Sequence, residues 1–136
     1  MNPKVLIVDD EVPILNGIKL NLGRAFDLTL AESGEEAIKA AEEEGPFEAV
    51  VSDMRMPGMT GVEVLARIKS MHPTIMTILL TGHADFEFGG SQALQSGQIF
   101  RILSKPCPPQ KLRDAIEAAI RAKARKDAEN QASSEP

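Results

Sequence analysis

The chain has one cysteine, Cys107, so no internal disulfide can form and a reducing cytoplasm suits it. Long apolar runs are missing as well. The longest, VLIV at residues 5–8, falls far short of the roughly 20 residues that a membrane-crossing helix needs. Nor does the opening MNPKVLIVDDE read as a secretion signal, because acids follow the apolar stretch at once. An excess of positive charge is also lacking, and the net charge of −5 argues against nucleic acid as a partner of the body of the chain. No segment repeats another. What remains is an ordinary globular composition, 43% hydrophobic and 26% charged over 136 residues, which fits one domain with a real core.

Charge is unevenly spread. Glu42, Glu43 and Glu44 form an acidic knot, while residues 111–126 carry Lys111, Arg113, Arg121, Lys123, Arg125 and Lys126. Asp114 and Glu117 interleave with that basic run, which reads as a solvated helix face rather than a phosphate-binding stripe.

Apolar periodicity predicts strands and helices in strict alternation. Strands are expected at 4–8, 26–31, 47–52, 75–80 and 99–103. Between them lie a helix from Pro13 to about Leu22, one opened by the capping box Ser33-Gly34-Glu35-Glu36, one over 62–70 and a weaker one within 84–96. Gly89 and Gly90 disfavour that weaker helix by about 1 kcal/mol each relative to Ala. A last helix starts near Gln110 with Leu112, Ile116, Ala119 and Ile120 on one stripe. Beyond residue 124 no large apolar side chain remains, so residues 126–136 are expected to form a flexible tail or linker stub after a domain spanning 1–125. The alternation implies an α/β fold, a doubly wound parallel sheet of five strands with five helices and right-handed crossovers.

Ligands of such sheets bind at the carboxyl ends of the strands. Those ends carry Asp9-Asp10, then Asp53 in VVSDMRMPGMTG, then Thr81-Gly82, then Lys105-Pro106. A carboxylate ending a buried strand costs free energy unless it is paired or solvated. Two carboxylates about 4 Å apart repel by about 4 kcal/mol at an effective dielectric of about 20. If the first and third strands are neighbours, three such groups converge, and a cation must share the site. Oxygen-only donors with room for water suit Mg²⁺, or Mn²⁺. A divalent ion, an ammonium and a hydroxyl around one carboxylate oxygen are what phosphoryl transfer onto that oxygen requires.

On VLIVDDE, VVSDMRMPGMTG, ILLTGHAD and FRILSKPC the chain resembles the receiver domain of two-component response regulators over about residues 3–125. The combination is specific, although any one motif alone is weak. The resemblance implies the flavodoxin-like strand order 2-1-3-4-5, with Asp53 accepting a phosphoryl group from a phosphohistidine. The donor would be a sensor histidine kinase or a histidine phosphotransfer protein. By the same resemblance Asp10, Asp53 and the backbone carbonyl of Arg55 hold the metal directly, and Asp9 acts through a coordinated water. Lys105 would neutralise phosphoryl oxygens and Thr81 would hydrogen-bond one of them. A cis peptide is expected before Pro106. The switched domain would act on a downstream output domain or protein in the cytoplasm, and a weak homodimer is a family expectation.

Two departures stand out. The aromatic that usually precedes the lysine by three residues is Ile102 here, with Phe100 two residues earlier and expected on the same strand face. Arg55 lies two residues after Asp53, where its side chain could overhang the phosphoryl group.

Plainer readings exist for each residue. Asp9 and Asp10 suit a helix cap, Thr81 a turn, and Lys105 a solvated surface. Met54, Met56 and Met59 read as loop packing, His83 as a bystander near the site, and Cys107 as unreactive. At the level of the whole chain, a Mg²⁺-dependent phosphatase using an aspartyl nucleophile and an unphosphorylated interaction module of the same fold are the alternatives. The phosphatase would want D-x-D on the first strand and a cap domain. The last helix runs on without a core stripe, which inclines the reading toward a piece of a larger regulator rather than a stand-alone receiver.

Overall fold

The structure is a computed structural model and describes residues 2–82 and 97–133, with the side chains of the last helix described to residue 129. Its elements are β1 (Lys4–Val8), α1 (Val12–Leu22), β2 (Asp27–Ala31), α2 (Gly34–Glu43), β3 (Ala49–Asp53), α3 (Gly61–Met71), β4 (Met76–Thr81), β5 (Arg101–Ser104) and α4 (Pro109–Ser133). The strands form one parallel sheet in the order β2-β1-β3-β4-β5. The doubly wound, flavodoxin-like arrangement is therefore present, with four helices among the described residues. The helix expected within 84–96, together with His83, lies outside them.

Strand alternation divides the core into two layers. Leu6, Val8, Val50 and Leu79 face α2 and α3, meeting Ala37, Ile38, Val64, Leu65 and Ile68. Val5, Ile7, Val51, Ile78 and Leu80 face α1 and α4, meeting Leu15, Leu22, Leu112, Ile116 and Ala119. β1, β3 and β4 are almost wholly buried, which explains their near-continuous apolar sequences.

Local signals set the helix ends. Ser33 caps α2 by accepting from the Glu36 N–H at 3.1 Å. The Glu36 carboxylate reaches back one residue further than a capping box requires, accepting from the Glu32 N–H at 2.6 Å. Thr60 caps α3 by accepting from the Glu63 N–H at 3.2 Å. Pro13 stands at the start of α1, while Glu11, at the cap position, makes no side-chain capping bond.

Two expectations are corrected. Residues 126–133 are helical, not a loose tail, because α4 continues to Ser133. The loss of the apolar stripe marks the end of packing against the sheet, but Ala, Lys, Arg and Glu keep a high helix propensity. Lys123 adds an i,i+4 pair with Asp127 at 2.7 Å and reaches Glu48 on the body at 3.8 Å. Phe100 does not share a face with Ile102. It precedes β5, so strand alternation does not govern it, and it packs on the α1/α4 layer with the Arg101 guanidinium 4.9 Å from its ring. Ile102, half-buried, packs on the α2/α3 layer.

Candidate functional site

Register brings the site residues together. Val8 pairs with Ser52, so Asp9 and Asp10 follow β1 beside Asp53, the last residue of β3. Asp53 pairs with Leu80 and Thr81 with Ser104, which puts Thr81 one residue further along the neighbouring strand and Lys105 just past β5. The ladder runs on beyond the last pair, with the Lys105 N–H donating to the Thr81 carbonyl at 2.7 Å. The Lys105–Pro106 peptide is cis.

Carboxylate oxygens of Asp9, Asp10 and Asp53 lie within 4.8 Å of one another. Asp9 and Asp53 are buried at 1% and 6% exposure, whereas Asp10 faces solvent. The Lys105 ammonium donates to both buried acids, 3.0 Å from Asp53 Oδ1 and 3.2 Å from Asp9 Oδ2. The other Asp9 oxygen accepts from the Glu11 N–H at 2.9 Å. The capping reading of Asp9 does not hold, because Glu11 is at the cap position and the Asp9 bond closes a turn just ahead of α1.

Burial pushes the Asp53 carboxyl above its usual range, with the negative charges of Asp9 and Asp10 adding to the effect. The hydrogen bond and charge of Lys105 counter it only in part. Burial by itself would lower Lys105, but its bonds and charge contacts with Asp53 and Asp9 raise it above an ordinary lysine. One ammonium shared between two acids is held firmly, while neither acid has it whole. The three carboxylates thus crowd one another around the Lys105 ammonium. An all-oxygen cluster of three carboxylates with one exposed member fits a hard divalent cation.

The profile of the response regulator receiver domain matches residues 5–117. The chain belongs to that family.

Among curated relatives, this receiver domain is 34% identical over 122 residues to the alkaline phosphatase synthesis transcriptional regulatory protein PhoP of Bacillus subtilis, covering 89% of this chain and 50% of PhoP. The chain spans half or less of the length of the curated relatives it matches first. Among solved structures, the adenylate cyclase from Rhodopirellula baltica superposes with a TM-score of 0.94 at 34% identity, covering 100% of both chains. A response regulator receiver domain protein from Clostridium thermocellum superposes with a TM-score of 0.81 at 33% identity, covering 90% of this chain and 97% of that one. Among the described residues of the receiver domain, no helix is long and apolar enough to cross a membrane.

Other residues support the site without a role assigned from sequence. Ser52 is fully buried, and its hydroxyl donates to the Asp53 carbonyl at 3.0 Å. Gly61 donates its N–H to the Met54 carbonyl at 2.8 Å, and a Cβ at Gly61 would overlap the Asp53 carbonyl oxygen. The glycine ending the motif D-x-x-M-P-x-M-x-G was the available signal. Gly58, in the same loop, has a φ of 87°, a conformation that favours glycine. Met54 is buried and Met56 and Met59 pack against the same layer, so these methionines anchor the loop. The Arg55 side chain is exposed on it.

Proposed function

We propose that Asp53 is the phosphoacceptor of a signalling switch and receives its phosphoryl group from the phosphohistidine of a sensor histidine kinase or histidine phosphotransfer protein. The observation carrying this reading is the Lys105 ammonium bridging Asp53 and Asp9 within a three-carboxylate cluster. Asp53 Oδ attacks phosphorus, the P–N bond to imidazole breaks, and the acyl phosphate P–O bond forms. Asp10, Asp53 and the Arg55 carbonyl would hold Mg²⁺ (or Mn²⁺) directly, with Asp9 reaching it through a water. When bound, the ion supplies charge neutralisation of the phosphoryl oxygens.

Lys105 neutralises the remaining phosphoryl charge, and Thr81 donates its hydroxyl to a phosphoryl oxygen. A hydrogen bond to a charged group contributes about 1.5–3 kcal/mol, less than the roughly 5.5 kcal/mol needed to invert a 1:99 equilibrium. Loop movement and Lys105 therefore share the switch with Thr81, and Ile102 in place of an aromatic alters its readout. The domain is a phosphoacceptor with self-catalysed transfer and dephosphorylation, not an enzyme of free substrates. It works in the cytoplasm, where a kinase phosphohistidine is made from ATP. Residues 1–125 form the switching unit, and the end of α4 leads toward an output domain or protein.

Incubation with acetyl phosphate and Mg²⁺ followed by intact mass measurement tests this. Wild-type protein gains about 80 Da, the mass of one phosphoryl group, and Asp53→Asn does not. Continuous phosphate release without an adduct would instead identify a phosphatase, and no change at all an unphosphorylated module.

A further inference from the structure

At the opposite end of the sheet from the acidic cluster, a cavity of about 410 Å³ opens at the amino ends of β4 and β5. Lys69 from the last turn of α3 and Arg125 and Lys126 from α4 line it, together with Thr77 and Phe100. Glu129 is the one acid among the described lining residues, so the cavity carries an excess of positive charge. The chain as a whole is acidic, with net charge −5, which makes this concentration of cations a local feature.

Lys69 is half-buried and donates to the carbonyls of Ile75 at 3.1 Å and Pro73 at 3.3 Å. Those bonds fix the ammonium at the cavity wall and leave one of its three N–H donors for another acceptor. Burial, and then the charge of Lys126, push the Lys69 ammonium below the usual lysine range. Two like charges held near each other in a concave, partly desolvated place are relieved by an anion seated between them. The volume falls within the range of small-molecule pockets, roughly 300–1,000 Å³. Three cations around one concave surface suit a ligand carrying one or two phosphoryl groups.

We propose that this cavity at the amino ends of β4 and β5 binds a small phosphorylated molecule through Lys69, Arg125 and Lys126. The site is separate from the acyl phosphate chemistry and stands whether or not Asp53 is the phosphoacceptor. Pyrophosphate is the probe, titrated into full-length Asp53→Asn protein in EDTA while backbone amide resonances are followed. The expected result is saturable shifts at Thr77, Gly97 and Phe100 with Asp9 and Asp10 unmoved. Because Arg125 and Lys126 are exposed, the double variant Arg125→Ala/Lys126→Ala keeps the fold, and its affinity falls by about tenfold or more. Sodium chloride at matched ionic strength leaves the same amides in place. Absence of saturable shifts, shifts confined to the acidic cluster, or an unchanged affinity in the double variant would each overturn the proposal.

Discussion

Asp53 carries a charge that its surroundings disfavour, and the consequence for stability has a definite sign. Its folded carboxyl holds a proton to higher pH than the unfolded value of 3.8, chiefly because of burial. As pH rises from 3.8 through the folded value, the unfolded chain has already released its proton and gains relative to the folded one. Stability from this residue is therefore lost on going to neutral pH. Asp53→Asn in EDTA should melt at a higher temperature than wild type near pH 7, with the gap closing below about pH 4, in a thermal denaturation series. A lower melting temperature for the variant at neutral pH would mean that Lys105 outweighs burial. Lys105 works in the other direction. Raised above 10.5, it contributes stability throughout the acidic and neutral range that is lost as pH climbs through its folded value.

The loop from β3 to α3 shows what one element demands and how much of that the sequence reveals. Gly61 lies against the Asp53 backbone, so Gly61→Ala must displace either the carbonyl or the start of α3. A cost of about 1–3 kcal/mol in urea unfolding is expected, with slower adduct formation at Asp53; wild-type values for both would show that the loop yields freely. The sequence placed Asp53 past the end of its strand, but pairing with Leu80 on β4 carries β3 through it. Strand ends depend on the partner's register, which a single chain's pattern does not encode. The cluster itself was legible, since Asp9, Asp10, Asp53 and Lys105 fall at strand ends that any 2-1-3-4-5 order makes neighbours. The support beneath it is less so: Ser52 bonds the Asp53 carbonyl from the preceding position, and Gly61 packs against it from across the loop. Phe100 lies before the start of β5, where alternation no longer applies, and the end of α4 is helical without packing on the sheet; apolar patterning reveals neither.

For the whole molecule, the acidic cluster is a joint between strands far apart in sequence. Its acids follow or end β1 and β3, so a cation bound among them would tie these neighbouring strands together, while Lys105 joins two of the same acids to the end of β5. Three converging carboxylates would give the folded state a divalent-ion site that the unfolded chain, with its acids dispersed, lacks. A ligand specific for the folded state at about 100 times its dissociation constant stabilises by about 2.7 kcal/mol. For a domain of this size that corresponds to a rise in melting temperature of roughly 6–12 °C. Mg²⁺ should produce it in wild-type protein relative to EDTA with sodium chloride at equal ionic strength. Asp10 is the exposed member and has no part in the Lys105 bridge, so Asp10→Asn should leave the metal-free melting temperature unchanged or slightly raised, through less repulsion on Asp53, while removing most of the Mg²⁺ response. If the Asp10→Asn protein responds to Mg²⁺ as strongly as wild type, the ion stabilises the fold from somewhere other than this cluster.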